Sequence, residues 1–239
     1  MADVLIISGA GDYSDPWHRF GDTSLRLKEI IAELGHQVTV SGAVEQALAD
    51  PGEPDLIVVN IGNPREARPQ SRIHAAERGL DRHLQRGGAL LGMHVSATSM
   101  TTMSTWSTML GGHWVRNRTM HPEQDLFSVV VRSDAHPIVR GLTDFTVFDE
   151  RYSYLHTNPD ITVLCEQLTD GRLHPIVWAR EYGLGRVVYD GLGHDTRSYE
   201  SSGHVRLLRR TVGWLLRDGD VTPPTLDLEL SASDKREDH

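Results

Sequence analysis

Cysteine is nearly missing from this chain. Cys165 stands alone, so no internal disulfide staples the fold. It sits inside an apolar run, Thr162–Glu166, and reads as inert packing, not as a nucleophile. No run of about 18 apolar residues occurs, so no membrane span is expected. Basic charge is scarce: 24 Lys and Arg face 33 Asp and Glu, a formal net charge of −9. No basic stripe offsets it, which disfavours nucleic acid and anionic membranes as partners. A basic leader is lacking as well. Met1-Ala2-Asp3 runs directly into Val4-Leu5-Ile6-Ile7, and the expectation is a cytoplasmic protein. His-Glu-x-x-His, Cys-x-x-Cys and Gly-x-Ser-x-Gly are all missing, which removes the usual zinc protease, zinc finger and serine hydrolase readings. Gly9-Ala10-Gly11 has no third glycine to complete a dinucleotide fingerprint.

What the chain does have is histidine, 13 residues of it, several in short loops flanked by glycine or aromatics. Its length of 239 residues suits one large domain with a real core. Strands are expected at Asp3–Ser8, Gln37–Ser41, Leu56–Asn60 and Ala89–Met93, with helices at Asp22–Leu34, Ala43–Leu48 and Ser71–Arg86. Asp22 or Thr23 is expected to cap the first helix and Gly35 to stop it. This order predicts an α/β fold: a doubly wound, mostly parallel sheet with helices on both faces, in a single domain. Right-handed crossovers bring Ser8, Asn60 and His94 to one sheet edge. A short helix follows at Ser104–Leu110. Further strands are expected at Phe127–Arg132, Phe145–Asp149, Thr162–Glu166, Pro175–Glu181 and Gly185–Asp190, then a helix at Gly203–Arg217. Residues 1–222 are assigned to the domain and 223–239 to a polar tail.

The centre of the pattern is Gly87–Ala97. A strand filled with apolar residues on both faces ends in Gly92-Met93-His94, which stands His94 at the carboxyl edge where open α/β sheets bind ligands. A second strand ends in Gly191-Leu192-Gly193, followed by His194 and Asp195. The 13-residue loop Gly9–Gly21 is long for a strand-to-helix connection and contains Asp15-Pro16-Trp17-His18. Phe148-Asp149-Glu150-Arg151-Tyr152 supplies acids at another strand end. Strand-end histidines with a carboxylate can ligate a metal, or can serve directly as general acid and base. Two groups that flank one small substrate must lie within about 12 Å, which sets a geometric condition on His94 and His194. His74 and His83 fall on a helix and read as surface or packing residues, and Trp178 reads as core.

Taken in order, these stretches resemble the ThuA-like, or trehalose-utilisation, family. The resemblance runs over residues 3–217. It rests on the Trp17-His18 loop, Gly92-Met93-His94, Leu110-Gly111-Gly112-His113, Phe148–Tyr152, Pro175-Ile176-Val177-Trp178, and Gly183–Val187 leading to Leu192-Gly193-His194-Asp195. It implies a flavodoxin-like fold of the class I glutamine amidotransferase type. His94 then occupies the place of that enzyme class's cysteine nucleophile, so glutaminase chemistry is not expected. His121-Pro122-Glu123 matches an amidotransferase tripeptide but precedes several strands, and is read as coincidence.

The resemblance further implies sugar metabolism around trehalose, related disaccharides and their 3-keto derivatives. His94, His194 and Glu150 are the candidate catalytic residues. Trp17, His18, His113, Trp114, Tyr152 and Asp195 are the candidate substrate contacts, with Asp149 close by. The cofactor stays open; a divalent metal such as zinc, held by His18, His94, Glu150 and His194, is one expectation. The expected partner is a small-molecule sugar, and self-association into a homo-oligomer is left open. The alternatives are a non-catalytic sugar-binding or regulatory module on the same fold, or a metal-dependent hydrolase.

Overall fold

The computed structural model describes residues 1–132 and 136–218. The expected tail at 223–239 lies outside the described residues. Five strands form a parallel half-sheet: β1 (Asp3–Ser8), β2 (Gln37–Ser41), β3 (Leu56–Asn60), β4 (Ala89–Met93) and β11 (Gly185–Asp190). Four more extend it antiparallel: β6 (Asp125–Val131), β7 (Phe145–Asp149), β9 (Thr162–Thr169) and β10 (Arg172–Tyr182). The order across the sheet is β2-β1-β3-β4-β11-β10-β9-β6-β7. Two short strands, β5 (Gly112–His113) and β8 (His156–Thr157), pair separately.

The helices are α1 (Phe20–Ala32), α2 (Val44–Ala49), α3 (Gln70–Gln85), α4 (Trp106–Leu110) and α5 (Ser202–Leu215). The apolar stripes of α1 and α5 cover one face of the sheet, meeting Val4, Ile6, Leu91 and Val188. Those of α2, α3 and α4 cover the other, meeting Ile7, Ile57, Val59 and Leu90. This two-sided cover explains the unbroken apolar runs of β3 and β4, whose residues are all buried. Among the described residues, no helix is long and apolar enough to cross a membrane.

Three expectations shift in detail. α1 begins at Phe20, so Asp22 and Thr23 lie inside its first turn and do not cap it. Thr23 instead donates to the Arg19 and Phe20 carbonyls and accepts from Asn60. β9 runs on to Thr169, and β10 starts at Arg172 with Pro175 at a register shift. A proline that lacks an N–H is tolerated there because the ladder is already interrupted. Cys165 and Trp178 are fully buried, as packing residues should be.

The α2–α3 contact is close enough to test. A β-carbon on Gly79 would meet the Leu48 carbonyl oxygen at 2.0 Å and the Ala49 carbonyl oxygen at 2.5 Å. Alanine gains about 1 kcal/mol of helix propensity over glycine. The clash is with backbone, which cannot swing aside, and overpacking costs about 1–3 kcal/mol. Gly79→Ala is therefore expected to lower the urea midpoint; a midpoint equal to or above wild type would show that the helices can separate freely.

Candidate functional site

β1, β3, β4 and β11 all end on one edge, fixed by the pairs Ser8↔Asn60, Val59↔Gly92 and Asp190↔Met93. His94 follows β4 with a φ of +37°, a strained conformation for a residue with a β-carbon. Its surroundings hold it there. Nδ1 bonds the Gly191 carbonyl at 2.8 Å, and the Tyr189 hydroxyl donates to the His94 carbonyl at 2.9 Å. A carbonyl oxygen only accepts, so Nδ1 carries the proton and Nε2 faces the site. A β-carbon on Gly92 would strike the Leu110 side chain at 2.5 Å and Ser96 Oγ at 2.8 Å, so this glycine lets the turn close.

Glu150 follows β7, and His194 follows β11. Asp149 ties the two together: its buried carboxylate accepts from the backbone N–H groups of Glu150 at 2.8 Å, Gly193 at 2.7 Å and His194 at 3.2 Å. The fourth member, His18, comes from the β1–α1 loop. Its Nδ1 lies 2.8 Å from both oxygens of Asp15, and the same carboxylate accepts from the His18 N–H at 2.8 Å. This fixes the ring and frees Nε2.

The four side chains converge. His94 and His194 have ring centroids 5.4 Å apart, His18 and His194 4.6 Å, and His18 and His94 5.4 Å. Glu150 Oε2 is 3.3 Å from His94 Nε2, and Oε1 is 3.2 Å from His194 Nδ1. One ligating atom from each residue lies within 4.8 Å of the others, and among the described residues no other such group of three or more occurs. His18 Nε2, His94 Nε2, Glu150 Oε2 and His194 Nδ1 are all buried without a hydrogen-bond partner among the described residues. Four orphaned donor atoms aimed at one point are costly unless something fills the point. Three imidazoles and one carboxylate form a donor set that a zinc-like divalent ion accepts. The carboxylate behind His18 and the carbonyl behind His94 are the supports that orient imidazole ligands. The residues therefore fit a metal.

Electrostatics favour ligation by His18 and Glu150, while a metal at His94 must displace a proton. Burial pushes the His18 imidazole down to about 4, and the neighbouring His94 adds to this, so the ring is neutral and able to ligate. Burial opposes ionisation of Glu150, but His194 and His94 outweigh it and hold the carboxyl well below the usual range. Burial also opposes charging of His94, and Glu150 outweighs it, so that imidazole titrates above its ordinary value.

The remaining predicted residues take different places. Tyr152 packs on His94 with centroids 4.3 Å apart, and Trp114 meets Tyr152 edge-on at 5.0 Å. Trp17 is 73% exposed on the loop beside His18. His113 faces His156 at 4.9 Å, on the β5–β8 pair, and is not one of the four. Asp195 binds Arg197 and caps the turn after His194. Two residues that sequence reasoning set aside or passed over come forward. His121, whose tripeptide reads as coincidence in the sequence alone, has Nδ1 3.5 Å from Glu150 Oε1 and its ring 5.6 Å from Tyr152. Asp15, three residues before His18, is the second: the sequence shows it only as an acid near a histidine in a loop, and the fold turns it onto the His18 ring.

The class is that of a single-domain α/β protein with a mostly parallel, doubly wound sheet, with a histidine where the amidotransferase fold has its cysteine. The chain belongs to the ThuA family, described as trehalose utilisation, whose model matches residues 3–215. It is similar in structure to a ThuA-like protein from Parabacteroides merdae, at 19% identity and a TM-score of 0.77, covering 93% of this chain and 92% of that one. A ThuA-like protein from Bacteroides uniformis follows at 16% identity and a TM-score of 0.70, with 90% and 91% covered. A cytoplasmic protein from Salmonella typhimurium LT2 aligns at 12% identity and a TM-score of 0.64, with 89% and 99% covered. Curated protein sequences give no match.

Proposed function

We propose that this chain is a carbohydrate-utilisation enzyme acting on a sugar or keto-sugar by acid–base chemistry, with His18, His94, Glu150 and His194 holding a divalent metal such as zinc. The observation that carries the reading is the convergence of four orphaned donor atoms within 4.8 Å. When bound, the metal supplies Lewis acidity toward a carbonyl or hydroxyl oxygen. The chain's own groups do the rest. Asp15 and Gly191 orient two imidazoles, and Asp149 sets the backbone of Glu150 and His194. His121 lies at the rim, part-exposed and next to Glu150, where a proton can pass between the centre and solvent. Half-buried Trp114 offers apolar surface for a sugar ring to pack against, while Tyr152, buried and packed on His94 and Trp114, backs that surface and does not itself reach the ring. The setting we propose is the cytoplasm.

The test pairs elemental analysis with turnover. Purified protein is expected to hold about one equivalent of a divalent metal, and His94→Ala about none. Wild type is expected to convert 3-keto-disaccharides, followed by NMR, and His94→Ala to lose at least about 100-fold in rate. Sugar binding without turnover or metal in either protein would replace this reading with a binding module.

A further inference from the structure

We propose that Arg68, outside the four-residue centre, is the positioning residue that holds the His18 loop in place; the proposal rests on the metal-centre reading above. Three of the four ligand candidates follow strands directly or are tied by Asp149. His18 alone sits on a long connection, between β1 and α1, whose only regular structure is a single 3-10 turn at Gly11–Tyr13. Ordering such a chain costs conformational entropy at every residue, so its position must be fixed by contacts.

Arg68 supplies the node. Its guanidinium bridges Asp12 on the loop and Glu45 on α2, and the Tyr13 hydroxyl donates to the same Glu45 carboxylate at 3.0 Å. Two adjacent loop residues are thus fastened to one charge pair, in which Glu45 is buried and Arg68 half-buried. Hydrogen bonding from Arg68 is the main influence that holds the Glu45 carboxyl below its ordinary range. The segment leading to Arg68 also backs the loop. The Gly62 N–H donates to the Tyr13 carbonyl and the Arg65 N–H to the Asp12 carbonyl, each at 2.9 Å. Two residues beyond Tyr13 comes Asp15, whose carboxylate fixes the His18 ring. Arg68 makes none of its hydrogen bonds to the four ligand candidates, so its effect on them passes through the loop.

The experiment compares full-length wild type, Arg68→Met, Arg68→Lys and His18→Ala. In metal-free protein, amide exchange at residues 11–18 is expected to speed up in Arg68→Met while β4 and β11 keep their protection. Zinc affinity, measured by chelator competition, is expected to fall about 10-fold, as for loss of a ligand-supporting group. The visible spectrum of the cobalt(II) protein is expected to move toward that of His18→Ala. Arg68→Lys is expected to recover part of each change, because it keeps the charge and loses the fork that spans two carboxylates. Unchanged exchange at 11–18 overturns the proposal, as does exchange accelerated equally in β4 and β11. If wild type binds neither zinc nor cobalt, the metal-centre reading falls, and loop exchange alone decides the role of Arg68.

Discussion

Zinc added to chelator-stripped protein is expected to raise its melting temperature by about 8–16 °C. The estimate assumes free zinc at a thousand times its Kd, which stabilises the native state by about 4 kcal/mol. A domain of this size gains about 2–4 °C per kcal/mol. The effect should be large because the donors are already in place. The folded chain bears the cost of burying four polar atoms that have no hydrogen-bond partner among the described residues, which the ion-pair contacts of Glu150 relieve only in part, and an ion recovers the rest. Glu150→Gln keeps the shape but removes the charge, and His94→Ala removes a donor held by two hydrogen bonds and a strained backbone. Both variants are expected to abolish most of the shift in differential scanning fluorimetry. A full shift in either variant would mean that zinc binds elsewhere.

The second large effect lies behind the site. His204 on α5 and Asp190 at the end of β11 form an ion pair at 3.1 Å, with side chains 0% and 1% exposed. Asp190 also accepts from the Leu192 N–H at 3.0 Å, and so shapes the turn that offers the Gly191 carbonyl to His94. His204→Ala leaves that carboxylate buried without its cation. Breaking such a pair costs about 3–5 kcal/mol, or a melting temperature lower by about 6–20 °C. A fall under about 2 °C would show that water enters and solvates Asp190.

The pair also fixes a pH dependence. Burial opposes the charge on His204, but Asp190, and at longer range Asp149, outweigh it and raise the imidazole above its ordinary value. A raised folded value stabilises fully below the unfolded value of about 6.5 and is lost as pH climbs through the folded one. The stability gap between wild type and His204→Gln is therefore expected to narrow as pH rises from 6 upward. A gap that widens would reverse the sign of the coupling.

Much of the parallel half-sheet was legible because its signals are local. β1, β2, β3, β4 and β11 lie where apolar runs bounded by turn residues predict them, and β7 of the antiparallel half does so as well. The antiparallel half was harder to bound. β9 and β10 extend beyond their apolar runs, because each supplies the other's hydrogen bonds across Leu168↔Leu173 and Thr169↔Arg172. Pairing of that kind depends on the partner strand and leaves little trace in either segment alone. His18, His94, Glu150 and His194 were all nameable from sequence, since each follows a glycine-cleared or acid-bearing strand end or an unusual loop. His121 was not, because its only local sign was a tripeptide in an unexpected place.

The sequence by itself determined the class of fold, the family and the set of residues able to do chemistry. Those follow from periodicity, turn residues and motif order, which are properties of short segments. Tertiary structure decided which histidines of the described residues share a centre, and that Asp15 stands behind His18 and the Gly191 carbonyl behind His94. His18 and His194 are 176 positions apart, and their 4.6 Å separation exists only because β1 and β11 end on the same sheet edge. Distance between side chains is set by strand order and crossover hand, and neither is written in any one stretch of the chain.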